Sequence, residues 1–165
     1  MIDTMTVLAY LLTHNPGHTS HLNLHASFPV NCAQQIESPL LRWSNVPPEA
    51  QSLALIIKDA PPQQPNKTAE KPRYYWVVYN LPIESVMLPY GTNLKINPND
   101  VGINSWRNNN YQSPCVNGQL QPVEIELFAL KKRFSLHHSM TGEQLEQNIK
   151  ANALAGAAVS VSGDR

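Results

Sequence analysis

The stretch SLALIIKDAPP, residues 52–62, decides the fold. Its apolar run does not alternate with polar residues, which indicates a strand buried on both faces, as in the middle of a sheet sandwich. The run ends at one carboxylate, Asp59, and two prolines follow shortly after. Proline lacks an N–H, so the chain cannot continue as a central strand. We therefore expect Asp59 either at the mouth of a pocket or in a loop, where it would cap its own backbone.

Two other segments are rich in β-branched and aromatic residues and are predicted to be strands: YYWVVYNL (residues 74–81) and VEIELFALKK (residues 123–132). In the second, apolar positions alternate with Glu124 and Glu126, which predicts one face in the core and one near water. Residues 6–13 are also predicted to form a strand, with a short helix as the alternative.

One helix is predicted, in TGEQLEQNIKANALAGA (residues 141–157). Thr141 is the expected N-cap, and Gln144 three residues later completes a capping box. Three positions share one apolar stripe: Leu145, Ile149 and Ala153. The prediction is a mainly β protein, one domain over residues 1–165, with a single C-terminal helix.

The composition of the 165 residues excludes several classes of protein. The hydrophobic fraction of 42% and charged fraction of 15% suit a folded globular chain rather than a disordered one. The formal net charge is zero, which gives no bulk attraction to nucleic acid. No apolar stretch is long enough to span a bilayer, and no secretory leader is evident. We therefore expect a cytoplasmic protein.

The cysteines and histidines leave alternatives open. Cys32 and Cys115 are expected to be two half-buried thiols, kept reduced in the cytosol, and a bridge between them is the alternative. Four of the six histidines lie close together in the sequence: His14, His18, His21 and His25. We expect them in a solvent-exposed loop, and a zinc or nickel site is the alternative.

An ordered set of motifs resembles the phosphatidylethanolamine-binding proteins, also called Raf kinase inhibitor proteins, in their bacterial form. The motifs cover most of residues 38–130 and are SPLLRWSNVPPEAQSLALIIKDAPP, YYWVVYNLP, GINSWRNNNYQSPC and LFAL. Residues 151–165, ANALAGAAVSVSGDR, also resemble the end of the family pattern. The resemblance implies a Greek-key β-sandwich with a peripheral C-terminal helix. It also implies a small pocket that binds anions such as phosphate or phospho-headgroups.

The resemblance also implies which residues surround the pocket. The family rim holds an Asp, two His, a Tyr and the Pro of a G-P-C motif. The Asp and Pro are kept, the two His positions hold Tyr75 and Gln121, and the Tyr position holds Val123. The ligand-binding residues predicted in this way are Asp59, Tyr75, Trp76, Pro114, Cys115 and Gln121.

These replacements predict an altered ligand site. Tyr75 and Gln121 donate neutral hydrogen bonds and supply no positive charge, so they hold an anion more weakly than two imidazoles would. Asp59, which gains no cationic neighbour from the motifs, would repel a phosphate. We expect weak phosphate binding or none. Tyr75 and Trp76 are expected to stack on a cationic group such as choline.

The predicted function is a ligand-binding module whose small anionic or zwitterionic headgroup ligand binds weakly. The alternative is an interaction protein, such as a kinase or protease inhibitor, with a vestigial pocket and a partner surface in the loop of residues 61–72. A hydrolase that uses Cys115 is the third hypothesis, and it lacks a nearby base and any G-x-S-x-G motif. We therefore predict no enzymatic activity, no cofactor and no metal.

Overall fold

The computed structural model describes residues 21–29, 32, 37–64, 70–135 and 140–163. The predicted strand at residues 6–13 lies outside these ranges, as do His14 and His18. The described elements are, in chain order, β1 (Asn23–Ser27), β2 (Leu40–Ser44), β3 (Ser52–Asp59), β4 (Tyr74–Leu81), β5 (Met87–Leu88), β6 (Cys115–Val116), β7 (Gln119–Leu120), β8 (Val123–Leu130), α1 (Gly142–Ala151) and β9 (Ala153–Val161).

The strands form two main antiparallel sheets. One sheet has the order β1-β2-β5, and the other has the order β4-β3-β8-β9. Strands β6 and β7 make a separate two-stranded hairpin. For the residues that the structure describes, the mainly β sandwich with a peripheral C-terminal helix is therefore confirmed. In the part of the chain that the structure describes, no helix is long and apolar enough to cross a membrane.

Strand β3 lies at the centre of the four-stranded sheet and is buried from Ser52 to Ile57, as its unbroken apolar sequence predicts. One face packs in the sandwich against the smaller sheet, where Leu41 and Trp43 of β2 lie. The other face packs under α1, where Leu145 and Ile149 of the helix are fully buried. The core therefore has two layers, one on each side of β3.

The helix begins where the sequence predicts and ends earlier. The Thr141 side chain accepts from the backbone N–H of Gln144, and the Gln144 side chain accepts from that of Thr141, so the capping box is confirmed. The predicted helix to residue 157 is wrong, because α1 ends at Ala151 and Ala153 begins β9. Pairing of β9 along the whole of β8 outweighs the weak β-propensity of its small residues.

The alternation in β8 does not place one face near water. Glu124 is half-buried and Glu126 is buried, with only 8% exposed. The reason is that α1 covers this face, and Lys58 lies among its carboxylates. The Lys58 Nζ is 2.7 Å from Glu126 Oε1 and 2.5 Å from Glu146 Oε1. The charges are thus buried as a paired group.

A β-bulge in β4 prepares the candidate site. Ile57 pairs with Trp76 and Lys58 pairs with Tyr74, so Tyr75 is an extra residue without an opposite partner on β3. A bulge breaks the strict alternation of side chains. Tyr75 and Trp76 consequently both contribute to the hydrophobic cluster inside the sandwich, although they are neighbours in sequence.

Candidate functional site

The candidate site is built around the carboxylate of Asp59, the last residue of β3. The Tyr75 hydroxyl donates to Asp59 Oδ1 at 2.7 Å. Arg73 donates to the same carboxylate from its backbone N (2.9 Å), from Nε (3.0 Å) and from Nη2 (3.3 Å). The Asp59 backbone N–H in turn donates to the Arg73 carbonyl at 2.9 Å. The end of β3 is thus fastened to the start of β4 by main-chain and side-chain bonds.

These contacts determine the protonation states of Asp59, Arg73 and Tyr75. Burial alone would raise the pKa of Asp59, but the hydrogen bonds from Arg73 and Tyr75 outweigh burial and hold this pKa below its usual value. Burial and the Asp59 hydrogen bond raise the pKa of Tyr75. The hydrogen bond to Asp59 also raises the pKa of Arg73. At neutral pH the site therefore holds one carboxylate, one guanidinium and one neutral phenol.

Arg73 corrects the expectation that Asp59 has no cationic neighbour. Arg73 lies two residues before Tyr75, outside the family motifs, and antiparallel pairing of β3 with β4 brings it beside Asp59. The salt bridge is only partly exposed, with 25% of the Asp59 side chain and 52% of the Arg73 side chain accessible to solvent. The local charge is therefore balanced rather than negative.

Trp106 provides an aromatic wall that sequence reasoning missed. Its ring centroid is 5.2 Å from that of Tyr75, with an interplanar angle of 41°. The Arg73 guanidinium carbon lies 5.8 Å from the Tyr75 centroid and 6.0 Å from the Trp106 centroid. Trp106 is 40% exposed, so part of its ring faces solvent. A cation beside two aromatic rings at these distances is stabilised by cation–π attraction.

An asparagine-rich loop holds Trp106 in place. The Asn104 side chain is almost fully buried, with 4% exposed, and its Oδ1 accepts from the Trp106 backbone N at 2.9 Å. Its Nδ2 donates to Asn108 Oδ1 at 2.9 Å and to the Asn110 carbonyl at 2.8 Å. A buried amide that is satisfied on both ends fixes the loop conformation. The Trp106 ring is therefore carried by an ordered segment.

Pro114, Cys115 and Gln121 lie on the neighbouring hairpin. Cys115 begins β6, and the Gln121 backbone N donates to the Pro114 carbonyl at 2.9 Å. The hairpin leads into β8, whose first residue pairs with Asp59. The Gln121 side chain is directed to its own hairpin, because Nε2 donates to the Gln119 carbonyl at 3.4 Å. The structure brings these three residues to the same end of the sheet as Asp59.

Trp76 occupies a different place from the one predicted. It is 1% exposed, and its ring makes a T-shaped contact with the Tyr111 ring at a centroid distance of 5.6 Å. The bulge turns both Tyr75 and Trp76 inward, but Tyr75 reaches the rim through its hydroxyl and Trp76 stays in the core. The exposed aromatic surface beside the guanidinium belongs to Trp106.

The two cysteines form a disulfide, with 5.7 Å between the Cα atoms of Cys32 and Cys115. The preferred expectation of two free thiols is wrong, and the alternative of a bridge is confirmed. A sulfur in a disulfide is not a thiolate, so Cys115 lacks the free thiol that the hydrolase hypothesis needs. The bridge ties the chain at residue 32 to the hairpin beside the rim.

The described residues contain no group of His, Cys, Asp and Glu side chains that could hold a metal ion. His21 and His25 are exposed, and His25 lies in β1 opposite Arg42 rather than in a loop. Two of the four clustered histidines lie outside the described residues, so the choice between a loop and a metal site stays a prediction for the cluster.

A shallow cleft of about 380 Å³ lies on the flank of the site. Arg73 and Ser105 line it together with the first residues of α1. None of the six predicted ligand-binding residues lines it. Arg73 is therefore the residue that this cleft shares with the Asp59 rim.

The comparison with known protein families shows to which family the chain belongs. The sequence profile described as phosphatidylethanolamine-binding protein matches residues 18–162. The chain belongs to the phosphatidylethanolamine-binding protein family. The motif resemblance is thus confirmed.

Two curated relatives support the assignment. A UPF0098 protein of Methanothermobacter thermautotrophicus is 29% identical over 135 residues, which cover 76% of this chain and 82% of the relative. A UPF0098 protein of Chlamydia muridarum is 32% identical over 122 residues, which cover 73% of this chain and 77% of the relative.

Two crystal structures share the fold of this member of the phosphatidylethanolamine-binding protein family. The putative family homologue CT736 from Chlamydia trachomatis has a TM-score of 0.68 and 25% identity, over 88% of this chain and 98% of its own. YbcL of E. coli, described as a new member of the mammalian family, has a TM-score of 0.63 and 18% identity, over 88% of this chain and 99% of its own. The chain is thus similar to bacterial members of the family.

Proposed function

We propose that this chain is a small-ligand-binding module, not an enzyme, and that the rim around Asp59 takes a small anionic or zwitterionic headgroup. One observation carries the proposal: a carboxylate is held by a buried phenol and by a half-exposed guanidinium. Its residue, Asp59, is the one that the motif resemblance assigns to the family's pocket. The carboxylate of Asp59 and the guanidinium of Arg73 therefore present a negative and a positive charge side by side, 3.0 Å apart. A zwitterion can match both, whereas a simple anion meets a neutral site.

The charge balance supports weak binding. A ligand ammonium has to compete with Arg73 for the Asp59 oxygens, which already accept four hydrogen bonds. A ligand oxyanion meets a guanidinium whose charge Asp59 already compensates. Each contact therefore contributes less than it would in a site with an unpaired charge.

The test is a thermal-shift and NMR titration with phosphate, phosphoethanolamine and phosphocholine. Saturable stabilisation by a zwitterion that exceeds that by phosphate, and that is lost in Asp59→Ala, supports the proposal. Glu84→Ala is the matched control, because it removes an exposed carboxylate beyond the opposite end of β4. No shift with any of the three ligands up to about 10 mM would contradict the headgroup function.

A second candidate is an interaction protein, and a group of exposed apolar side chains favours it. They follow β4 and are Val86 (65% exposed), Met87 (40%), Tyr90 (43%) and Leu94 (64%). These side chains are close in sequence, and exposed apolar side chains that form one patch mark a contact surface in many proteins. A purified kinase or protease that is bound equally by wild type and Asp59→Ala, and not by Leu94→Ser, would support this function.

The disulfide bears on the proposal that the chain is not an enzyme and on the expected location of the protein. Cys115 lacks a free thiol, which supports a role without turnover. The cytoplasmic location expected from the sequence stays a prediction. The bridge weighs against it, because reducing compartments keep such pairs as thiols.

A further inference from the structure

We propose that Arg73, rather than Asp59, contacts the ligand at this rim, and that the ligand class is an oxyanion attached to a flat apolar group that lies on Trp106. The inference rests on the proposal that the rim binds a small ligand, and it names the contacting residue and the chemistry. Its basis is the way in which the donors and acceptors of the rim are already used.

The first step concerns the Asp59 carboxylate. Oδ1 accepts from the Tyr75 hydroxyl and Arg73 Nη2, and Oδ2 accepts from Arg73 N and Nε. A carboxylate has about four favourable acceptor positions, so this one is filled by the protein. Only 25% of the side chain is exposed. Asp59 therefore acts as a positioning residue that orients the guanidinium.

The second step concerns the guanidinium. Arg73 uses Nε and one N–H of Nη2 for Asp59, and Nη1 has no partner among the described residues. The Arg73 side chain is 52% exposed, and Asp59 does not use the outer edge that carries Nη1. The free edge of a guanidinium presents parallel N–H groups that match the two oxygens of a carboxylate or phosphate.

The third step concerns the body of the ligand. Trp106 lies beside the guanidinium at 6.0 Å, is 40% exposed and is held by the buried Asn104. An oxyanion on the outer edge of Arg73 would leave its carbon skeleton near this ring. A flat apolar group gains contact area there, whereas acetate or inorganic phosphate gains none.

Local charges limit the affinity. Asp59 compensates the guanidinium, and Glu70 also acts on it electrostatically. Lys71 is 86% exposed and lies near Glu143, so it adds little net positive charge. We therefore expect millimolar binding that weakens with added salt.

The experiment follows the indole N–H signal of Trp106, assigned with Trp106→Leu, during NMR titrations of the full chain. The probes are benzoate, phenyl phosphate, acetate and inorganic phosphate, and phosphoethanolamine is a separate arm. Benzoate and phenyl phosphate distinguish carboxylate from phosphate, and the two small anions test the flat group. We expect the two aromatic probes to bind wild type and the two small anions to bind at least about tenfold more weakly.

Four variants make the assignment specific. Arg73→Gln should weaken the aromatic anions at least about tenfold, and Arg73→Lys should fall between it and wild type. Asp59→Asn removes a compensating negative charge but also loosens the orientation of the guanidinium, so it should weaken these anions less than Arg73→Gln does. Lys131→Gln, an exposed cation just after the far end of β8, is the control and should bind like wild type.

The outcomes separate this inference from the proposed function. Equal binding of benzoate by Arg73→Gln and wild type overturns the inference, as does binding of phosphoethanolamine without any binding of benzoate. A larger loss of benzoate binding in Asp59→Asn than in Arg73→Gln would place the ligand on Asp59 and overturns the inference. Binding of the aromatic anions without phosphoethanolamine supports the inference and removes the zwitterion from the proposed function.

Discussion

Lys58 and Asp59 are neighbours on β3, yet their side chains belong to two ionic clusters on opposite faces of the sheet. Lys58 lies under α1, between the carboxylates of Glu126 and Glu146. Asp59 lies at the rim, paired with Arg73. Successive side chains of a strand point to opposite faces of the sheet, so these two neighbours belong to different clusters. One cluster fastens the helix and the other builds the site, so mutations should separate stability from binding.

The first prediction concerns the helix cluster. Glu146→Gln should lower the free energy of unfolding by about 2–4 kcal/mol, because it leaves a buried cation undercompensated. Glu146 contacts Lys58, Lys150 at 2.8 Å and the Tyr74 hydroxyl. Urea denaturation measures the change.

The control for this prediction is Glu143→Gln on the same helix. Glu143 lies 3.6 Å from Lys71, and its side chain is 55% exposed. An exposed pair of this kind contributes about 0–1 kcal/mol. If the free energy of unfolding falls equally in the two variants, the buried cluster stabilises the fold no more than the exposed pair does.

The second prediction concerns acid stability. Burial would raise the pKa of Glu146, but hydrogen bonds from Lys150, Lys58 and Tyr74 outweigh it and lower this pKa to about 2, from an ordinary 4.5. The unfolded chain therefore binds the proton first as pH falls, and stability declines between about pH 4.5 and pH 2. The contribution of this one group is roughly 3 kcal/mol.

Unfolding measured across this range should show a shallower decline in Glu146→Gln than in wild type. Some slope remains, because the pKa of Asp59 is also lowered in the folded chain. Parallel curves for the two proteins would mean that Glu146 titrates normally.

The third prediction concerns the rim. Tyr75→Phe removes the hydroxyl that donates to Asp59 at 2.7 Å, and Arg73 remains. The pKa of Asp59 should rise toward its usual value, and the free energy of unfolding should fall by about 1–2 kcal/mol. Carboxyl NMR titration measures the first effect. Tyr90→Phe, which removes an exposed hydroxyl beside Ser27, should leave the Asp59 titration unchanged.

The fourth prediction concerns the disulfide. The bonded cysteines are 83 residues apart, and closing a loop of this length reduces the entropy of the unfolded chain. Cys32→Ser with Cys115→Ser should lower the free energy of unfolding by about 3–4 kcal/mol. Dithiothreitol should lower the melting temperature of wild type and leave that of the double variant unchanged. If dithiothreitol leaves the melting temperature of wild type unchanged, the disulfide does not stabilise the fold.

The main strands and the helix start could be predicted because their signals are local. An unbroken apolar run predicts a strand buried on both faces, and a capping box predicts a helix N-terminus. The end of α1 could not be predicted, since four of residues 153–157 are alanine or leucine, which favour a helix. Their strand conformation comes from pairing with β8, a contact between distant segments.

The candidate site was predicted only in part, for a similar reason. Asp59 and Tyr75 could be placed from the motifs, but Arg73 and Trp106 could not. The position of Arg73 depends on how the two ends of a long connection pair, and the position of Trp106 depends on the hydrogen bonds of Asn104. A signal for Arg73 did exist, because residues that flank an antiparallel connection end side by side.

The disulfide also determines what a protease would leave behind. The exposed residues 61–64 lie between Cys32 and Cys115 in sequence. A single cut there would give two fragments, one with each cysteine, which would remain covalently joined. The nicked protein would run as one band on a non-reducing gel and as two after reduction, with the strands on both sides of the cut still held in one sheet.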